Sequence, residues 1–343
     1  MSFDRLKPAF DADVPGALWV LRFDEEGRAE PGDAEDVARL GAPGEAFVWL
    51  HLDLSDLRTP ALVAKLDALG EEGRKILSSP IDRQFIDHSG NLVRGAFIDH
   101  ERDISGRLPQ TDYLRFVFGE RFLVSARERP LDAVESTRLA LSAGRLAATP
   151  LELFETLVMH LSDELGRIIF ELSAALDRIE ERILTDGRGH GFDERTTLGS
   201  TRRAALRLAR EVNGLRSPLL RLEATVDEQE NEELKEVGAR LARRVDILAN
   251  DLAEVQDRGR VLQDELNALA GLVTNDRLYV LTVVTTILLP ATFVTGFFGM
   301  NTKDLPFTEI QNGTAYAGAL CVGAAAAALI IMRRLGLTRP HGK

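Results

Sequence analysis

Five threonines, Thr282, Thr285, Thr286, Thr292 and Thr295, recur in a stretch of 25 residues, Leu278 to Thr302, that contains no charged side chain. At about 100° per helical residue, Thr282, Thr285, Thr286 and Thr292 fall within about 120° of one another, together with Leu278, Leu289 and Gly296. The same face continues toward the N-terminus through Asn275, Gly271, Asn267 and Asp264. A threonine stripe on an otherwise apolar helix fits either a water-filled axis or a close helix contact in which each hydroxyl bonds its own i−4 carbonyl. The stretch closes as Gly296-Phe-Phe-Gly299-Met300-Asn301. There an uncharged amide and backbone carbonyls supply oxygen ligands suited to outer-sphere contact with a hydrated divalent cation, with Asn301 as the side-chain ligand. Pro290, in the middle of the stretch, removes one helical hydrogen bond and marks a hinge.

The other residues that can do chemistry are dispersed. The six histidines, His51, His88, His100, His160, His190 and His341, form no HExxH pattern, and the single cysteine, Cys321, excludes both a disulfide within the chain and a cysteine-based zinc site. His51 with Asp53, and Asp99-His100-Glu101, are the pairs able to join a cytoplasmic metal site, although an isolated histidine near strands is more often a packing residue. Nucleophile elbow, phosphate-binding loop and dinucleotide fingerprint are all missing from the sequence, which argues against an enzyme or an ATP-driven pump. No cofactor is expected, and a divalent cation enters the reading only as cargo.

The elements that must position these residues follow from length and charge. Leu278 to Thr302 is long enough to cross a bilayer, and a second uncharged segment, Thr314 to Met332, follows a short polar loop and ends in Arg333 and Arg334. Residues 1–277 hold 52 of the 54 acidic and 37 of the 42 basic residues, so a large acidic body precedes a hairpin of two spans. An acidic body disfavours a nucleic-acid partner and attracts cations. The N-terminal MSFDRLKPAF lacks the apolar run of a secretory signal. Arg277 before the first span, and Arg333, Arg334, Arg339 and Lys343 after the second, stand against Lys303 alone in the loop; both termini are expected in the cytoplasm.

Upstream, Ala17–Phe23, Ala46–Leu52, Leu92–Ile98, Tyr113–Phe118 and Phe122–Ser125 read as strands of one sheet, with helices opening at Thr59-Pro60 and spanning Glu71–Leu77. From Pro130 onward the pattern is helical. Leu153 to Ile183 recurs at spacings of three and four, a second helix runs from about Asp193 to Glu223, and a third begins near Asp227. In the third, Val245, Leu248, Leu252, Val255, Leu262, Leu266, Leu269 and Val273 form a heptad seam, with Gly259 and Asp276 at the remaining positions. This helix can run unbroken from Glu228 to Phe298, and its seam requires either the preceding helices or further copies of the chain. In the second span, Ala315, Ala319, Gly323 and Ala327 repeat at i+4 and read as a packing face. The fold class is therefore α+β: a cytoplasmic α/β domain at 1–130, a helical stalk region at 131–277, a first span at 278–302, a loop at 303–313, a second span at 314–332 and a basic tail at 333–343.

Gly299-Met300-Asn301, closing a span that reads LLPATFVTGFFGMN and followed by one more span, resembles the signature of the CorA/ZntB family of divalent-cation transporters. Val48-Trp-Leu-His-Leu-Asp53 and Glu120-Arg-Phe-Leu-Val-Ser-Ala-Arg127 are similar to the N-terminal domain of the ZntB branch. The resemblance implies a funnel-shaped homopentamer in the bacterial inner membrane. Gly299, Met300 and Asn301 would form the selectivity mouth. Asn275, Leu278, Thr282, Thr286, Leu289 and Thr292 would line the pore, with the two leucines as apolar constrictions. The loop departs from the magnesium branch in carrying Lys303 beside the mouth, with Asp304 and Glu309 as its acids. The implied function is transport of Zn2+, coupled to protons. The alternatives are a Mg2+, Co2+ or Ni2+ channel of the CorA type, or a non-conducting two-span coiled-coil anchor or sensor. Zinc rests on the resemblance rather than on ligand chemistry, because the threonine face holds neither histidine nor cysteine.

Overall fold

Seven strands form one sheet in the order β2-β1-β3-β7-β6-β5-β4. They are β1 (Ala17–Phe23), β2 (Ala29–Pro31), β3 (Phe47–Asp53), β4 (Phe85–Ser89), β5 (Leu92–His100), β6 (Thr111–Gly119) and β7 (Phe122–Arg127). The computed structural model describes residues 14–44, 46–100, 111–186, 191–225, 228–300 and 312–334. Every pairing is antiparallel except β3 with β7, which run parallel at the centre of the sheet.

Both faces of this sheet are covered, which is why its central strands read as nearly continuous apolar runs. On one face Val20, Val48, Leu50, Leu52, Val117 and Val124 pack with residues from the helical segments α1 (Ala34–Ala38), α2 (Thr59–Val63) and α3 (Gly70–Ser78). On the other, Phe97, Phe116 and Phe118 approach Phe154 with ring centroids 6.3, 4.9 and 4.8 Å away. Phe154 lies on α5 (Pro150–Asp186), which follows α4 (Asp132–Ser142). The five strands expected from short apolar runs are present. The two that were not expected, β2 and β4, are the sheet edges, where partial exposure removes the apolar signal. Helix α1 was also unforeseen: it is held by a capping box, in which Asp33 accepts from the Glu35 and Asp36 amides while Asp36 accepts from Asp33.

Three long helices follow from the predicted periodicities: α5, α6 (Gly191–Thr225) and α7 (Glu228–Phe298); α8 (Gly313–Arg334) completes the chain. By its contacts the chain divides into two units, Met1–Ile179 with Thr197–Gly259, and Glu180–Thr196 with Arg260–Lys343. In the first unit, Val245, Leu252 and Val255 of the seam are buried, and Gly259 leaves room for the stem of Arg202. Charged pairs flank this packing: Arg240 donates to Glu155 at 2.8 and 2.9 Å, Arg258 to Asp177 at 2.5 Å, and Arg244 to Asp163. In the second unit, Leu262 and Leu266 are buried, and Arg195 donates to the Leu266 carbonyl at 3.2 Å. The segment Asn231–Phe298 of α7 and the whole of α8 each contain a window apolar enough to cross a membrane.

Gly95 of β5 sits where a Cβ would lie 2.3 Å from the Phe85 carbonyl oxygen and 2.7 Å from the Phe116 ring. Gly95→Ala should therefore destabilise the protein by about 1–3 kcal/mol, the usual cost of overpacking. The check is the urea or thermal unfolding midpoint of the purified chain, which should fall.

Candidate functional site

The candidate residues on α7 share one side of a helix whose only non-helical backbone dihedrals fall at Asn231; the helix runs through Pro290 without a break. Asn275, Thr282, Thr285 and Thr292 are exposed, as are Leu278 and Leu289, and Thr286 is half-buried. Further down, Asp264, Asn267, Gly271 and Asn275 are exposed, whereas Leu262 and Leu266, on the opposite side, are buried. Helix α8 lies on that opposite side as well. Val283, Ile287, Pro290 and Ala291 are half-buried and Val294 is buried, and the Cys321 thiol meets the Ala291 carbonyl at 3.8 Å. One chain therefore covers part of the seam side of α7, at Ile287, Ala291 and Val294, and leaves most of the span exposed, the threonine side included.

The threonine hydroxyls have a defined polarity. Thr282 donates to Leu278 O at 2.8 Å, Thr286 to Thr282 O at 2.7 Å, and Thr292 to Leu288 O at 2.9 Å. Thr285 donates to the carbonyls of Leu281 and Thr282, at 2.9 and 3.0 Å. Each proton is spent on the helix backbone, so each oxygen turns its lone pairs outward. The exposed stripe thus offers neutral acceptors, interrupted by Leu278 and Leu289. Water molecules around a cation present their hydrogens outward, and this surface is complementary to them.

At the end of the helix the Gly299 amide donates to Thr295 O at 2.9 Å and the Met300 amide to Phe297 O at 3.4 Å. A Cβ on Gly299 would lie 3.0 Å from the Thr295 carbonyl. Asn301, together with Lys303, Asp304 and Glu309, lies outside the described residues. On α8 the stripe Ala315, Ala319, Gly323 and Ala327 is exposed, and the half-buried positions instead include Ala317, Cys321, Ala324, Ala325, Ala328 and Leu329, with Met332 buried. Both sets repeat at small-residue spacing, so periodicity alone did not select the side that meets α7.

In the first unit, His51 serves packing. His51 is fully buried and stacks on Trp19 with ring centroids 4.3 Å apart. Its Nε2 accepts from Arg127 Nε at 3.1 Å, so its Nδ1 carries the proton toward Ser125 Oγ, 2.8 Å away. Trp49 Nε1 donates to the same Ser125 oxygen at 2.8 Å. Burial, and then the Arg127 charge, hold the His51 pKa well below its ordinary value. Both ring nitrogens are engaged, so His51 with Asp53 is not a metal pair. Among the described residues, no group of three or more His, Cys, Asp or Glu is placed to hold a metal ion. These partners stand 74 and 76 residues from His51 in sequence, a separation that left no local signal.

Asp99 and His100 occupy the C-terminal end of β5. Buried Asp99 accepts from the His100 amide at 2.8 Å and from the Ala133 amide at 3.1 Å, capping α4 from another element where Leu131 supplies no side-chain cap. His100 Nε2 lies 3.1 Å from Glu211 of α6. Glu101 lies outside the described residues.

A family model described as CorA-like Mg2+ transporter protein matches residues 44–334. The chain belongs to that family. Its CorA-type fold is shared with a solved structure of full-length CmaX, which superposes with a TM-score of 0.77 at 24% identity, covering 94% of this chain and 98% of that one. The zinc transport protein ZntB of Photorhabdus laumondii is 26% identical over 306 residues, spanning 87% of this chain and 89% of the relative. The divalent cation transporter CmaX of Pseudomonas aeruginosa is 27% identical over 328 residues, spanning 94% and 97%.

Within this CorA-type head, burial raises the Asp99 pKa from 3.8 to about 7, against the pull of its amide bonds and of His100. Burial pulls His100 down, but the hydrogen bond and charge of Glu211, with Asp99 and Glu164, outweigh it and leave the pKa raised. Between about pH 4 and 7 the folded chain keeps a proton on Asp99 that the unfolded chain has released, so this group's stabilisation is lost as pH rises through that window. The contribution of His100 is likewise lost as pH rises through its folded pKa, above 6.5. Asp99→Asn should therefore flatten the decline of the melting temperature between about pH 4 and 7. Parallel pH profiles for the variant and the parent would contradict this assignment.

Proposed function

We propose that this chain transports divalent metal cations, Zn2+ in preference to Mg2+, through a homopentameric pore in the bacterial inner membrane, with both termini in the cytoplasm. The observation that carries the proposal is the bare, uncharged acceptor stripe of α7, left uncovered because the seam and α8 take the opposite side. Several copies of α7 turned inward would enclose such a stripe. A ring of neutral acceptors conducts a largely hydrated ion, with Leu278 and Leu289 as the narrow apolar points and Asn301 holding the ion's outer waters at the mouth. The preference for zinc draws on the ZntB relatives, because the stripe contains no nitrogen or sulfur ligand. Proton coupling belongs to the same reading.

The test is flux through the purified chain in sealed vesicles, with competing ions and a pH gradient. Zn2+ uptake should be competed by Ni2+ and Co2+ more strongly than by Mg2+, and should accelerate when the entry side is acidic. Asn301→Ala should lower flux by roughly tenfold, equivalent to about 1.4 kcal/mol at the barrier, while leaving the oligomer intact. Vesicles that pass none of these ions would contradict the proposal.

A further inference from the structure

The head contains a cleft that the transport reading does not use. It lies at the C-terminal ends of β3 and β7, the parallel pair, and encloses about 180 Å3. Its walls are mixed: Leu54 after β3, Pro60 and Val63 of α2, and Leu77 and Pro80 at the end of α3 and just beyond give it an apolar side, and Thr59, Ser78, Ser79, Arg115 and Glu128 a polar one. The space is slightly larger than the ~150 Å3 that admits a benzene-sized molecule.

Arg115 of β6 lines this cleft and is 6% exposed. Its Nη1 donates to the Ser79 carbonyl at 2.7 Å, and its Nη2 to Glu128 Oε1 at 2.8 Å. Its Nε is fully buried and has no hydrogen-bond partner among the described residues. A buried donor left unpaired is costly and uncommon, and calls for an acceptor. Nε and Nη2 share one edge of the guanidinium, the fork that fits the two oxygens of a carboxylate. Glu128 engages one tooth of that fork. Its side chain is 56% exposed, and its backbone is pinned separately, with the Glu128 and Arg129 amides donating to Asp112 at 3.0 and 2.9 Å. The carboxylate of Glu128 can therefore swing into solvent without moving the strand. Burial lowers the Arg115 pKa despite Glu128 and Asp112, so the cation is under-compensated where it stands.

We infer that this cleft binds a small monocarboxylate with an apolar body. Its carboxylate takes the Nε–Nη2 edge of Arg115 in place of Glu128, and its body packs against Leu54, Val63 and Leu77. The ligand class follows from the combination: an oxyanion alone leaves the apolar walls uncovered, and an apolar molecule alone leaves the guanidinium unpaired. The inference is independent of ion transport, since it concerns binding to the head.

Benzoate is a suitable probe, titrated calorimetrically into the full-length protein in detergent, with benzamide and inorganic phosphate as controls. Benzoate should bind saturably at one site per chain, with a dissociation constant on the order of 1 mM. Benzamide and phosphate should each bind at least about tenfold more weakly. Glu128→Gln removes the competing carboxylate from an exposed side chain and should tighten benzoate by about threefold to tenfold. Ser78→Phe, an exposed change at the cleft wall, should weaken it. Both variants avoid the core, so the test does not depend on replacing Arg115. Absence of saturable benzoate binding to both the parent and Glu128→Gln would overturn the inference, as would benzamide or phosphate binding as tightly as benzoate, or Glu128→Gln leaving the affinity unchanged.

Discussion

Helical phase is the constraint on which the membrane half of this protein depends. Residues of one unbroken helix cannot rotate independently, so burying Leu262 and Leu266 fixes the direction of every later side chain on α7. With that side committed to the seam, and Ala291 and Val294 committed to α8, the threonine oxygens must point the other way. The i−4 bonds then remove the donor half of each hydroxyl, and what remains on the free side is a column of acceptors. A surface of that kind arises without any charged residue, which is what passage of a hydrated dication requires if it is not to be trapped.

The head obeys a different constraint. A sheet with both faces covered must draw partners for its buried polar groups from within, and it does so for several by long-range pairing: Ser125 receives Trp49 and sits against His51, Arg127 closes the other nitrogen of His51, and Asp99 caps α4. Trp19 Nε1, His100 Nδ1 and Arg115 Nε are left without such a partner among the described residues. Arg115 is held at two nitrogens and unpaired at the third, and it lines a cleft with one apolar side.

How much of this was legible in the sequence follows from the range of the interaction that determines each feature. Strands β1, β3, β5, β6 and β7 were readable because an apolar run bounded by turn residues is a local signal, and β2 and β4 were not, because partly exposed edge strands lack such a run. The length and seam of α7, and its threonine face, were readable because helical periodicity carries them directly. The side of α8 that meets α7 was not: the stripe through Ala315 and the stripe through Ala317 have nearly the same composition, and only tertiary packing chooses between them. The segments that hold His51 and its partners, residues 48–53 and 120–127, were legible as a resemblance, but their pairing across 74 and 76 residues was not.

The most direct test of the central claim asks which side of α7 faces the ion. With Cys321 replaced by serine, single cysteines are placed at Thr282, Thr286 and Leu289 on the free side and at Val283 and Ile287 on the α8 side. Each variant is then treated with a cationic methanethiosulfonate reagent while Zn2+ flux is recorded. The account predicts that modification stops flux at Thr282, Thr286 and Leu289 and spares it at Val283 and Ile287. Block at Val283 and Ile287 with flux preserved at the other three would contradict it.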